Sequence, residues 1–304
     1  ADDDSNPAKE PAPAKDWIKE LETDKHGGIL PTFGNCVRIL TNDFRIRAAL
    51  AFNELEGEIV ATRSIKTKNP YIPPVEVPAQ RRENGEVWTD LHDATLRGIM
   101  AEPNGPGRTG YGMDPSERTL REAVMVVGQR RKFHPIREML TGLKWDGTER
   151  LESVPARYLG CPDDAYHREA FRNTILAAVA RAFEPGHKFD NILILEGRQG
   201  ARKSTFIEVL ALRKWFLELT GDLSDSKAMA EQTRGAWFVE MAEMAAHRKS
   251  EADIIKSWLS RRDEKVRMAY ARKPTLIRRQ FVPIGTTNES TYLKDPTGAR
   301  SEER

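Results

Sequence analysis

The feature that most constrains this chain is an aliphatic run, Asn191-Ile-Leu-Ile-Leu195, that leads into Gly197-Arg-Gln-Gly200-Ala-Arg-Lys203-Ser204-Thr205 and then a helical FIEVLAL. A short apolar run without polar interruption fits a strand buried on both faces, as in a parallel sheet covered by helices. Strand, glycine-rich turn, Lys-Ser/Thr and helix is the order that a phosphate-binding loop requires. Small residues let backbone N–H groups wrap an anion at the positive end of a helix. On this reading Gly197, Gln199, Gly200, Ala201, Arg202, Lys203, Ser204 and Thr205 bind a nucleotide. Lys203 brings a point charge to the β/γ oxygens of ATP, and Ser204 offers a hydroxyl to Mg²⁺. One residue departs from the pattern GxxxxGK[ST]: Arg202 stands at its second glycine. If that position is left-handed, a side chain there costs roughly 1–2 kcal/mol. The loop is therefore expected to be weakened, with the guanidinium offsetting part of the loss by pairing with a phosphate oxygen.

Two further strands follow. Ala236-Trp-Phe-Val-Glu240 is apolar and ends in a carboxylate, with Glu243 three residues on. Glu240 comes 37 positions after Lys203, which leaves room for one helix and one return strand. Glu240 is a candidate to hold Mg²⁺ through water, and Glu243 or Glu240 to orient an attacking water. Gln280-Phe-Val-Pro-Ile-Gly-Thr-Thr-Asn288 ends in a polar residue. In additional-strand ATPases a polar group at such a strand end meets the γ-phosphate, which makes Asn288 a third catalytic candidate.

The rest of the chain is read around this core. Residues 1–16 are Pro/Ala-rich and acidic, and read as a disordered leader or linker; the start without Met points to processing or to a fragment of something longer. Residues 17–145 read as a small α+β domain, with helices over 35–41, 89–101 and 115–132 and two short strands within Ala49–Ala61. Residues 146–304 form the loop-bearing domain, opened by a helix over 164–183. Hydrophobic residues make up 39 % of the chain and charged residues 31 %, enough for a core but too charged for a membrane protein. No 18-residue apolar run and no signal peptide are present, and Cys36 and Cys161 form no paired motif, so a reducing, cytoplasmic setting is expected. Residues 1–22 carry seven acids and three bases, whereas 261–279 carry eight bases and two acids. That basic segment is either a nucleic-acid footprint or a solvated surface.

Trp145-Asp146-Gly147, the stretch 185–190, Glu196-Gly197-Arg-Gln199-Gly200, Trp237-Phe-Val-Glu240-Met-Ala-Glu243 and Gly285-Thr-Thr-Asn288 together resemble the virulence-associated E family. This is a group of P-loop proteins of phages and mobile elements, often fused to primases and similar to superfamily-3 helicases within the AAA+ group. The resemblance implies an α/β fold with a P-loop parallel sheet, and a ring-forming homo-oligomeric ATPase and helicase that moves DNA in phage, prophage or plasmid replication. It also implies a primase domain upstream. Arg300 then corresponds to the arginine that reaches a neighbouring subunit's γ-phosphate, although the family's Gly-Asn-Arg-Arg-Phe is here Gly298-Ala-Arg-Ser301. The family grips DNA with a hairpin. Here Val266–Tyr270 and Thr275–Phe281 read as its strands, with Arg272 and Lys273 at the tip and Arg278 and Arg279 on the return. These four cations would track phosphates while Tyr270 stacks on a base of single-stranded DNA. The plainer alternative is a hairpin whose charges blunt a sheet edge. Two other readings stand beside the helicase: a relative that binds nucleic acid but scarcely hydrolyses ATP, and a P-loop kinase or small-molecule NTPase.

Overall fold

The computed structural model describes residues 17–81, 83–105, 110–242, 249–266 and 274–288, with only the backbone for 249–253. The leader expected over 1–16 lies outside them. The chain divides into two compact units, Ala1–Glu138 and Met139–Arg304.

In the first unit, α1 (Phe33–Asn42) starts where the Thr32 side chain accepts the Asn35 amide at 3.2 Å. Its buried positions Asn35, Cys36, Ile39 and Leu40 recur at helical spacing. β1 (Leu50–Asn53) and β2 (Glu58–Ala61) form a hairpin in which Leu50 faces Ala61 and Asn53 faces Glu58. β3 (Glu86–Val87) adds to β2, and α2 (Asp90–Ala101) and α3 (Glu117–Gln129) follow. β4 (Lys132–Phe133) then pairs parallel with β1 and completes the sheet order β3-β2-β1-β4. The helix expected to run to residue 132 therefore stops at Gln129, because the chain turns to meet β1. Cys36, Ile39, Leu50, Leu96, Ile99, Leu120 and Val124 bring the helices and β1 into one apolar core. Gly85 reaches this sheet with a φ of +78°, and a Cβ there would stand 2.5 Å from Cγ2 of Val60.

α4 (Pro135–Gly142) carries the chain into the second unit, followed by α5 (Val154–Leu159) and α6 (Ala165–Phe183). Asp164 caps α6 by accepting the His167 amide at 3.0 Å. The chain then alternates: β5 (Leu193–Glu196), α7 (Lys203–Leu210), β6 (Phe216–Glu218), α8 (Ser226–Gln232), β7 (Phe238–Met241), α9 (Lys249–Ser260). β8 (Asp263–Val266) and β9 (Thr275–Arg278) form a two-stranded antiparallel ladder, and β10 (Val282–Thr287) follows. β5, β10, β7 and β6 lie in that order in a four-stranded sheet, every pair parallel. This is a mixed α/β unit whose last strand in sequence is inserted between two earlier ones. The interval between Lys203 and Glu240 holds more than the one helix and return strand expected: β6 and α8 lie inside it. Both central strands are buried at every position, whereas β5 and β6 are partly exposed. Trp237 packs its ring against Trp215 and donates Nε1 to the Ala178 carbonyl at 2.9 Å, tying the segment before β7 to α6. No helix among the described residues is long and apolar enough to cross a membrane.

Gly85→Ala places a Cβ in a left-handed residue and against Val60 at once. It should lower the stability of the first unit by about 2–4 kcal/mol, read from urea melts by circular dichroism. An unchanged midpoint would refute the packing described for β2 and β3.

Candidate functional site

The C-terminal ends of the parallel strands gather the site. β5 ends at Glu196, and the chain enters a loop whose torsions are set by three residues: Gly197 (φ 158°), Gly200 (φ 82°) and Arg202 (φ 61°, ψ 32°). Arg202 is thus left-handed, the conformation a glycine at that position would take without strain. Its side chain is exposed, and α7 begins at the next residue with no side-chain hydrogen bond capping its first turn. The leading amides of a helix have no partners within the helix and carry its positive dipole end, so they are suited to an anion. Gln199, Gly200, Ala201, Ser204 and Thr205 are exposed around this turn, and the Gly197 amide donates to the Thr287 carbonyl at 3.3 Å.

Two hydrogen-bonded groups link the loop to the neighbouring strands. Lys203 Nζ donates to the Gly197 carbonyl at 2.6 Å, the Arg198 carbonyl at 3.2 Å and Asn288 Oδ1 at 2.8 Å. Ser204 Oγ donates to Glu240 Oε1 at 2.8 Å, and Thr286 Oγ1 donates to the same oxygen at 2.8 Å. Glu240 is only 1 % exposed, and its other oxygen, Oε2, is buried with no hydrogen-bond partner among the described residues. A buried carboxylate oxygen without a donor is costly, and marks a place where a cation or water can supply what the protein does not. Ser204 and Glu240 offer hard oxygen donors, the type that Mg²⁺ prefers. Among the described residues no three His, Cys, Asp or Glu side chains cluster around a metal position. A Mg²⁺ held here would therefore need ligand or water oxygens as well, as is usual for this ion.

The fold thus brings Lys203, Ser204, Glu240 and Asn288 together. Thr286 was missed by the sequence reading. Side chains alternate along a strand, so Thr286 and Asn288, two residues apart, share a side of the chain while Thr287 points away. That parity was the available signal.

Glu243, Tyr270, Arg272, Lys273 and Arg300 lie outside the described residues. The hairpin is present as β8 and β9, with Val266 opposite Thr275 and Asp263 opposite Arg278, so its first strand begins three residues earlier than expected. Arg278 is exposed. Arg279 corrects the sequence reading: it is 4 % exposed and does not face solvent as a phosphate contact must. Its Nη1 donates to the Trp258 carbonyl at 2.8 Å, Nη2 lies 3.6 Å from Glu264, and the guanidinium packs on the rings of Trp258 and Phe281. Burial holds its pKa down to about 9, and the nearby positive charge of Arg181 adds to the shift. Arg181 is itself 1 % exposed and donates to the carbonyls of His187, Phe281 and Phe189 at 3.0, 2.7 and 3.0 Å. Both guanidiniums satisfy backbone carbonyls beside the root of β10.

Residues 140–301 match the family described as the virulence-associated protein E-like domain. No curated protein matches the chain. The apo structure of the NrS-1 C terminal region is similar at 16 % identity and a TM-score of 0.36, over 50 % of this chain and 38 % of that one. The A form apo structure of the same region is similar at 16 % identity and a TM-score of 0.35, over 49 % and 36 %. The chain therefore spans well under half the length of the solved chains it matches.

Arg278 and Arg279 are neighbours with opposite surroundings, which makes them a matched pair. Arg279→Ala should cost about 2–4 kcal/mol in thermal or urea melts, because buried carbonyls and Glu264 lose their donor. Arg278→Ala should stay within about 0.5 kcal/mol of the parent. Equal effects would overturn the assignment of Arg279 to the interior.

Proposed function

Because the chain belongs to the virulence-associated protein E-like domain family, we propose that its second unit is an ATP- and Mg²⁺-dependent module that moves DNA in the replication of a phage, prophage or plasmid. The observation that carries this reading is the meeting of Lys203, Ser204, Glu240, Thr286 and Asn288 through hydrogen bonds of 2.8 Å. They meet at the carboxyl ends of parallel strands, where open α/β sheets bind ligands. The insertion of β10 between the loop strand β5 and the acidic strand β7 supports a P-loop core of the superfamily-3 type.

In this reading the loop from Gly197 to Thr205 cradles phosphates with its amides, and Lys203 exchanges the carbonyls of Gly197 and Arg198 for anionic oxygens. Ser204 and Glu240 hold the cation, and Asn288 keeps Lys203 in place. Glu243 or Glu240 orients the attacking water. ATP with Mg²⁺ supplies the phosphoanhydride and the charge that stabilises its cleavage. Tyr270, Arg272, Lys273 and Arg278 of the hairpin meet single-stranded DNA. Copies of the chain form a ring in which Arg300 serves the neighbouring site, and a primase domain belongs upstream. These last roles rest on the family resemblance.

A second reading is favoured by one observation, the left-handed Arg202. A loop strained there binds ATP weakly, and the chain becomes a nucleic-acid-binding relative that hydrolyses ATP slowly or not at all.

Two measurements test these readings. Lys203→Ala should lower ATP turnover by a factor of at least about 100 with little change in melting temperature, since it removes charge stabilisation from a partly exposed position. Unchanged turnover would overturn the nucleotide site. Arg202→Gly should tighten ATP binding about tenfold, equivalent to 1.4 kcal/mol. Weaker binding would make Arg202 a working phosphate ligand, and no ATP binding by either protein would favour the non-hydrolysing relative.

A further inference from the structure

A second basic surface lies in the first unit. The turn from Asp43 to Ala49 joins α1 to β1 and is pinned from below. Asp43 is 3 % exposed and accepts from Nη2 of Arg45 at 2.6 Å, the Arg45 amide at 2.8 Å and the Tyr111 hydroxyl at 2.7 Å. Ile46 is wholly buried, and Ala48 adopts a φ of 62°. Between these anchors Phe44 is held outward, with 73 % of its surface in solvent.

A single exposed phenylalanine is ordinary; what surrounds this one is not. Arg63 reaches over the turn and donates to the carbonyls of Phe44 (2.9 Å) and Arg47 (2.7 Å). Arg131 donates to the Ala48 carbonyl, and Arg130 to Thr41 Oγ1 at 3.5 Å. Lys132 is exposed and stands opposite Phe52, on the strand that leaves the turn. Arg45 and Arg47 belong to the turn itself. The carboxylate within the turn, Asp43, is buried and already met by Arg45, and the basic side chains of the turn and of the segments joined to it include Arg47 and the exposed Arg63, Arg130, Arg131 and Lys132. Arg38, nearby on α1, is engaged by Glu22 at 3.3 Å and takes no part.

We propose that this surface binds single-stranded nucleic acid, with Phe44 stacking on a base and Arg47, Arg63, Arg130, Arg131 and Lys132 contacting phosphates. An exposed ring on a turn whose carbonyls are held by Arg63 and Arg131 sets a base-stacking face beside cations, the combination that a single strand requires. A duplex hides its base faces, and an acidic peptide offers nothing to stack on the ring. Two of the arginines are held by the turn's own carbonyls, so little side-chain freedom is lost on binding. The plainer role for Arg130 and its neighbours is to neutralise the C-terminal dipoles of α1 and α3.

The test is anisotropy of fluorescein-labelled oligo-dT with the full chain, in the absence of ATP and across a salt series. Phe44→Ala should weaken binding about tenfold, the scale of one stacked base, while Phe44→Trp restores it. Arg130→Gln with Lys132→Gln should reduce the slope of log affinity against log salt by about 0.7 per lost contact. All three positions are exposed, so melting temperatures should not move. Ultraviolet cross-linking of a bromodeoxyuridine oligonucleotide should mark residues 43–47. Unchanged affinity and slope in these variants, with no cross-link in that turn, would overturn the proposal and leave the arginines their dipole role. Equal losses of Phe44→Ala on duplex and single strand would overturn the stacking. Arg278→Ala, on the hairpin of the second unit, should leave the cross-link to residues 43–47 in place, and its loss in that variant would count against a separate binding surface on the turn.

Discussion

The second unit is organised around one carboxylate oxygen. Oε1 of Glu240 accepts hydroxyls from Ser204 and Thr286, residues 36 and 46 positions away in the chain. One comes from the first turn of α7 and the other from β10. A buried carboxylate is tolerated only where donors compensate its lost hydration, so these bonds fix the register of helix and strands around it. They depend in turn on strand order. Because β10 lies between β5 and β7, it can offer Thr286 to Glu240 on one neighbour and Asn288 to Lys203 beyond the other. Lys203 then ties loop to strand a second time through Asn288.

Much of this was legible in the sequence, and the reason is apolar content: β7 and β10 are buried at every position, whereas β5, read as buried on both faces, is an edge strand in which only Leu195 is buried. β5, β7 and β10 are apolar runs long enough to stand out, and each carries a polar residue where the strand emerges. The conditional argument about Arg202 needed only its torsion, and φ is 61°. β6 was illegible because it has three residues and follows Leu212 and Arg213, both at positive φ, with no turn-forming glycine to announce them. α8 is seven residues long and buries only Met229 and Ala230, too little for a periodic signal.

Charge was the least legible property. Arg278 and Arg279 look alike as letters, yet one faces water and the other is buried against two aromatic rings. Nothing in the basic composition of 261–279 distinguishes an arginine that meets an external anion from one that meets backbone carbonyls. Arg181 makes the same point: it sits among the buried residues of α6, at 1 % exposure. In the first unit the order is reversed. The turn at 43–49 carries no motif, and only folding brings Arg63 and Arg131, distant in sequence, onto its carbonyls.

The burial of Arg279 has a mechanical side. β9 ends at Arg278 and β10 begins at Val282, so three residues join the hairpin to the strand that ends beside Asn288. Arg279 is clamped at both ends: its amide donates to Arg262 and its carbonyl accepts from Gly186, at 2.9 and 2.8 Å. Such a junction has no slack. A pull on the hairpin is passed along β10 as tension instead of being absorbed by a loose linker, and the loop around Lys203 lies at the other end of that line.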